Sequence, residues 1–245
     1  MRLPGSEKVI VGYDLGNKYA QISCYVTGSE EEIRTLSSVA GSSVYTIPLA
    51  LSKRQGVNQW FYGSEAIRYA GEEEGILVEN LLKLARDGEP VQIDGAPIDP
   101  VALLTLFLKR SLGLLSQVTN TERIGALMIT CEELDHRMLE VLTAATEGLH
   151  LKTDQICFQS HVESFYYYNL YQPEELWRHK TILCEYGDAS IRTYCMECNR
   201  HTTPVVAYME EREFPFPVPE SDEKMQEIAK KLCENQMISS VYLIG

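Results

Sequence analysis

Apolar and polar residues alternate from the start of the chain. Residues 8–15, KVIVGYDL, carry apolar side chains at every second position, and residues 18–27, KYAQISCYVT, do so in part. A period of two predicts strands, and a gap this short forces them antiparallel. Residues 31–40 predict a third strand, and SVYTIPLALSK with QWFYGSEA a further pair around the loop RQGVN. The period then lengthens. SEAIRYAGEEEG starts a helix, ENLLKLARDG is a short amphipathic segment ending at Gly88, and PVQIDGAPID predicts a small hairpin or a loop. Asp99-Pro100 is a helix start, with the aspartate as N-cap and proline in the first turn. The helix that follows, VALLTLFLKRSLGLLSQV, is apolar nearly all round and is expected to be buried.

The most regular stretch comes next. RIGALMITC predicts a strand, ELDHRMLEVLTAATEG a helix closed by Gly148, LKTDQICFQ a strand, and HVESFYYYNLYQ a helix ending before Pro173. Strand–helix–strand order implies parallel pairing through a right-handed crossover. After the polar connector QPEELWRHK, three strands are expected in TILCEYG, ASIRTYCMECNR and TTPVVAYMEERE. A proline-rich loop (FPFPVPESD), an amphipathic helix (SDEKMQEIAKKLCENQ) and a last strand (ISSVYLIG) follow.

Composition narrows the picture. The 245 residues are 44% hydrophobic with a formal net charge of −13. That charge argues against nonspecific nucleic-acid binding and against adhesion to anionic membranes. No apolar run reaches membrane-spanning length, and Met1–Glu7 lacks the apolar stretch of a signal peptide. Cysteines number seven, and Cys24, Cys131, Cys157 and Cys184 lie in apolar strand-like runs. Thiols so placed suit a reducing, cytoplasmic setting rather than a disulfide scaffold.

The two halves share a layout. VIVGYDLGNKYAQISCYVT and TILCEYGDASIRTYCMEC each give an apolar strand, an acid (Asp14, Glu185), a glycine two positions on (Gly16, Gly187), then an alternating strand. A duplicated unit often places its ligand between the copies. This layout resembles the actin, DnaK-type chaperone and sugar-kinase superfamily of ATPase domains. There the two tips are phosphate loops, Asp-x-Gly with a hydroxyl residue and Asp-x-Gly-Gly-Gly-Thr. The run from ALMITCEELDHR to ESFYYYNL also follows the order of the chaperone domain, and FYGSEA resembles its Gly-x-x-Ala segment.

The resemblance implies a two-lobed α/β protein of duplicated ribonuclease-H-like fold, with mixed five-stranded sheets flanked by helices. The first lobe would be residues 1–178, with an insert at about 41–98, and the second, reduced lobe 179–245. It implies Mg-ATP or Mg-ADP in the cleft between lobes. Asp14, Gly16, Asn17 and Lys18 would hold one side of the phosphates, and Gly187, Asp188, Ala189 and Ser190 the other. Asp14 and Glu185 would reach Mg²⁺ through water. Glu185 or Glu163 would serve as the catalytic acid or base. The chain is also expected to be a fragment that stops just after Gly245, or a reduced relative.

Each assignment has a plainer alternative. Asp14 caps its own turn, Lys18 is an exposed strand lysine, and Glu163, Glu185 and Asp188 are solvated. The chain also departs from the family pattern. Asn17 and Lys18 replace hydroxyl residues, Glu185 replaces an aspartate, and Ser160-His161 stands where the family has Glu-Pro. Asp188 would aim a carboxylate at phosphate oxygens, which is unfavourable without a cation. Two functional readings stay open: an ATPase or nucleotide switch, and a degenerate, non-catalytic actin-like fold serving protein partners or self-association. Cys195, Cys198 and His201 have zinc-like spacing, but residues three apart on a strand face opposite sides, so zinc is not expected.

Overall fold

In the computed structural model, residues 8–30, 32–72, 75–118, 123–187, 190–203, 205–215, 222–234 and 236–244 are described. The chain divides into two compact units, Met1–Ser160 and His161–Gly245.

The first unit is organised on β1 (Val9–Leu15) and β2 (Tyr19–Val26). Burial along β1 alternates strictly: Val9, Val11, Tyr13 and Leu15 are buried and the residues between them exposed. β1 therefore commits one face to the core. β2 pairs antiparallel to β1, and β3 (Arg34–Thr35) pairs antiparallel to β2. On its other side β1 takes β10 (Ile124–Cys131) in parallel, and β10 takes β11 (Ile156–Ser160) in parallel. The order is β11-β10-β1-β2-β3, and β4 (Ile47–Pro48) also pairs with β2, making a mixed six-stranded sheet. The third strand expected at 31–40 shrinks to the pair at Arg34–Thr35. Beyond it the hydroxyls of Ser37 and Ser38 bond loop carbonyls of Val39, Val44 and Thr46. Side chains that satisfy backbone groups locally compete with a strand ladder.

Residues 41–98 fold within this unit. β5 (Leu51–Arg54) pairs antiparallel with β6 (Trp60–Tyr62) and β7 (Gly75–Val78), next to α1 (Gly63–Glu72). α2 (Leu81–Asp87) ends on Gly88 in the left-handed conformation. β8 (Val91–Ile93) and β9 (Ala96–Ile98) form a hairpin whose turn, Asp94-Gly95, has positive φ at both residues. This is the geometry that matches strand twist. Lys53 pairs with Asp94 and ties the hairpin to β5.

α3 (Pro100–Leu112) starts where expected, with the Asp99 carboxylate accepting from Val101 N–H. It turns into a 3₁₀ segment at Gly113–Gln117 rather than running on as α-helix. α4 (His136–Glu147) is capped by Asp135, which accepts from Met138 N–H at 2.8 Å. Leu103, Leu104, Phe107 and Leu108 of α3 and Met138, Val141, Leu142 and Ala145 of α4 share one apolar cluster with the β1 face. Inside it Ser111 Oγ donates to the Phe107 carbonyl, so the Tyr13 hydroxyl donates to Ser111 Oγ at 2.7 Å. Burial pushes the Tyr13 phenol strongly upward, so it stays a neutral donor.

The second unit begins with α5 (His161–Leu170). The sequence boundary at 178/179 differs from the division seen here, because Val162 and Phe165 of α5 pack with Leu183, Tyr194 and Met196. Among the described residues its sheet has four strands, where five were expected. β12 (Lys180–Tyr186), β13 (Ser190–Cys198) and β14 (Val206–Pro215) are successive antiparallel neighbours, and β15 (Ile238–Ile244) lies parallel to β12. α6 (Asp222–Cys233) covers one face, where Ile228 and Leu232 meet Ile182, Cys184, Ile191 and Cys195. α5 covers the other, so β12 is buried on both sides.

Both sheets thus place their first strand centrally, its hairpin partner antiparallel on one side and a later strand parallel on the other. The protein is a mixed α/β structure with mixed sheets flanked by helices. Among the described residues no helix is long and apolar enough to cross a membrane.

Two outcomes follow from these contacts. Tyr13→Phe removes one buried hydrogen bond and is expected to cost about 1 kcal/mol in urea unfolding. Burial also pushes the Cys184 thiol up to about 11, and burial with nearby carboxylates pushes Cys131 up to about 12. A raised native value means stability is whole below the ordinary thiol range and is lost as pH rises above it. Thermal midpoints should fall steadily from about pH 9 towards pH 11, and Cys131→Ala should flatten that slope.

Candidate functional site

The acid-and-glycine tips expected from the sequence lie at the C-terminal ends of the two central strands. In the first unit Asp14 is exposed near the end of β1 and sits beside Thr130 of β10, whose hydroxyl donates to Asp14 Oδ1 at 3.1 Å. The turn closes through Gly16 N–H, which donates to the Tyr19 carbonyl at 2.9 Å. A Cβ on Gly16 would stand 2.9 Å from that same oxygen, so turn closure by itself requires glycine. Asn17 Nδ2 donates to Glu132 Oε2 at 2.9 Å, and the Lys18 carbonyl accepts from Leu49 N–H at 2.7 Å. The four residues Asp14, Gly16, Asn17 and Lys18 therefore belong to one anchored turn.

The surroundings of this turn are acidic. Glu132 and Glu133 follow β10, and Asp135 caps α4. Arg86 of α2 pairs with Glu133 and Asp135. Cys131, buried just before them, donates to the Glu133 carbonyl. Burial first, then the carboxylates of Asp14 and Asp135, raise its thiol to about 12. A protonated, buried thiol is no nucleophile. An anion at this edge would meet several carboxylates, so phosphate could settle here only with a divalent cation. Mg²⁺ on a nucleotide needs only one or two protein carboxylates and keeps several waters, and Asp14 fits that requirement.

In the second unit Gly187 N–H donates to the Ser190 carbonyl at 2.9 Å, the same closure that Gly16 makes with Tyr19. Ser190 Oγ donates to Glu213 Oε1 at 2.6 Å. Asp188 and Ala189 lie outside the described residues. Glu185 is not a solvated turn residue: its side chain is 5% exposed, and Oε1 meets His161 Nδ1 at 2.7 Å. Glu185 Oε2 is buried and has no partner among the described residues. Glu163 lies in the same first turn of α5 but beside Tyr166, whose phenol is raised by burial and by the Glu163 carboxylate. The residue that reaches Glu185 is thus His161, which the sequence marked only as standing at the family's Glu-Pro position. Its partner is 24 residues away on another element, and no local pattern reveals that.

The zinc-spaced cysteines diverge as strand geometry requires. Cys195 packs with the α6-side cluster and Cys198 against the α5-side cluster. Among the described residues no group of three or more His, Cys, Asp or Glu side chains is arranged to hold a metal.

Residues 32–245 match the model of a family described as "family of unknown function (DUF5716) C-terminal". The chain belongs to that family. No curated protein matches the chain. The family match takes in the parallel strand β10, the helices around it and the whole second unit, and leaves β1, β2 and the first tip outside it.

Gly16→Ala tests how far the first turn depends on its closure. With the new Cβ against a backbone oxygen, the variant is expected to lose about 1–2 kcal/mol in chemical denaturation. Gly113→Ala, where nothing stands within 4 Å of the new Cβ and φ is −58°, should lose less than that.

Proposed function

We propose that the chain is a divergent actin- and DnaK-like nucleotide-binding domain of duplicated ribonuclease-H-like fold, which binds Mg-ATP and Mg-ADP. One observation carries the reading. In both sheets the central strand has an antiparallel hairpin partner on one side and a parallel strand on the other, and it ends in an acid-x-glycine hairpin closed by the same glycine bond. Backbone N–H groups of such turns suit phosphate oxygens. In this reading Asp14 holds Mg²⁺ through water, and Gly16, Asn17 and Lys18 face the phosphates. Gly187, Asp188, Ala189 and Ser190 form the second phosphate turn. Attack by water on the terminal phosphoryl group would be helped mainly by positioning and charge stabilisation. Seven free cysteines fit a cytoplasmic setting, and a nucleotide-driven change would be read by a protein partner or a second copy.

A second reading has its own support. The acids around Asp14 and the burial of Glu185 suit a degenerate, non-catalytic member that serves as an interaction or assembly module.

Calorimetric titration of the chain with ATP and ADP, with and without Mg²⁺, separates the two. Mg²⁺-dependent binding that weakens at least about tenfold in Asp14→Ala is expected. The thermal midpoint of that variant should stay close to wild type, since Asp14 is exposed. A wild-type chain that binds neither nucleotide would leave the interaction module standing.

A further inference from the structure

Residues 130–135, at and just beyond the end of β10, serve two neighbours. Thr130 and Glu132 bond the first turn, at Asp14 and Asn17. Glu133 and Asp135 bond Arg86, in the last turn of α2. Asp135 is used at both oxygens: Oδ1 caps α4 at Met138 N–H, and Oδ2 takes the Arg86 guanidinium. Arg137 returns the contact, its Nε–H donating to the Arg86 carbonyl at 3.2 Å. Between the two sets, the Cys131 thiol donates to the Glu133 carbonyl. Leu81, Leu82 and Ala85 anchor α2 in the apolar cluster of the first unit. Arg86 is therefore carried on a packed helix.

This division sets the charge around the turn. Asp14, Glu132, Glu133 and Asp135 place four carboxylates along one edge, and each one left uncompensated lowers the affinity of an anion there. Arg86 sets its charge against two of the four, 3.3 Å from Glu133 Oε2 and in a second pair with Asp135. An arginine suits this place, because it stays charged and its fork serves two acceptors at once. All three side chains are partly exposed, so solvent and salt weaken the effect without removing it.

We propose that Arg86 is a positioning residue for the first phosphate turn: it draws Glu133 and Asp135 towards α2 and neutralises them, so that Asp14 can hold Mg²⁺ without further acids opposing the phosphates. This inference rests on the nucleotide reading above. It gives residues 41–98 a part in that reading, since the charge that tunes the turn comes from α2 and not from the sheet. Arg86 touches neither metal nor phosphate and acts through the two carboxylates.

The test is calorimetric titration with Mg-ATP and Mg-ADP at about 0.05 M and about 0.5 M salt. Arg86→Gln keeps a donor and removes the charge. Its Mg-ATP affinity should fall about three- to tenfold at low salt, its Mg-ADP affinity should fall less, and both deficits should shrink below about twofold at high salt. Arg86→Lys, which keeps the charge, should retain most of the affinity. Glu133→Gln should bind Mg-ATP at least about twice as tightly as the wild-type chain. In the Arg86→Gln background it should recover most of the loss. A purely structural clamp gives the opposite sign at Glu133, because that variant breaks the same pair, and its loss does not depend on salt. Thermal midpoints on the same samples show that each variant is folded. Full affinity in Arg86→Gln, a loss equal at both salt concentrations, a loss as large in Arg86→Lys, or no gain in Glu133→Gln each overturn this inference while nucleotide binding stands. No binding by the wild-type chain overturns the nucleotide reading and this inference with it.

Discussion

Each unit depends on a central strand that pairs antiparallel on one side and parallel on the other. The antiparallel neighbour can be reached through a tight turn, so the strand's C-terminal end becomes a hairpin tip. The parallel neighbour cannot be reached that way, so a helix must carry the chain back across a face of the sheet. A single pairing choice therefore produces the tip, the covering helices and the apolar face beneath them. In the first unit that face is Val9, Val11, Tyr13 and Leu15, sealed at its middle by the Tyr13–Ser111 hydrogen bond.

The two central strands then part ways. β1 buries one face only, and its acid stands exposed among further carboxylates. β12 is buried on both faces, and its acid is enclosed with a histidine. The same acid-x-glycine pattern thus yields a surface carboxylate in one unit and an interior one in the other. Solvent screens the first. The second keeps its full electrostatic demand, which its surroundings meet at only one oxygen.

Much of this was legible in the sequence because it is local. The β1–β2 hairpin follows from alternation, α3 from its Asp99 cap, and α4 from the helical run that Gly148 closes. The likeness of the two halves was visible in Asp14-x-Gly16 and Glu185-x-Gly187. What escaped was non-local or competitive. Loop hydrogen bonds from Ser37 and Ser38 cut short the third strand, and β4, from a distant segment, added a sixth to that sheet. The packing of α5 onto Leu183 and Tyr194, and the His161–Glu185 contact, depend on tertiary placement that no periodicity encodes.

The enclosure of Glu185 also constrains how this chain can change. A substitution that removes His161 alone leaves a buried carboxyl group with both oxygens wanting partners, and one that removes Glu185 alone leaves an imidazole without its partner. Either single step crosses a less stable intermediate, so drift at 161 and 185 is expected to be concerted. Histidine with glutamate, or two apolar side chains of similar combined volume, are the stable pairs. Members of the family can accordingly be sorted by which pair they carry.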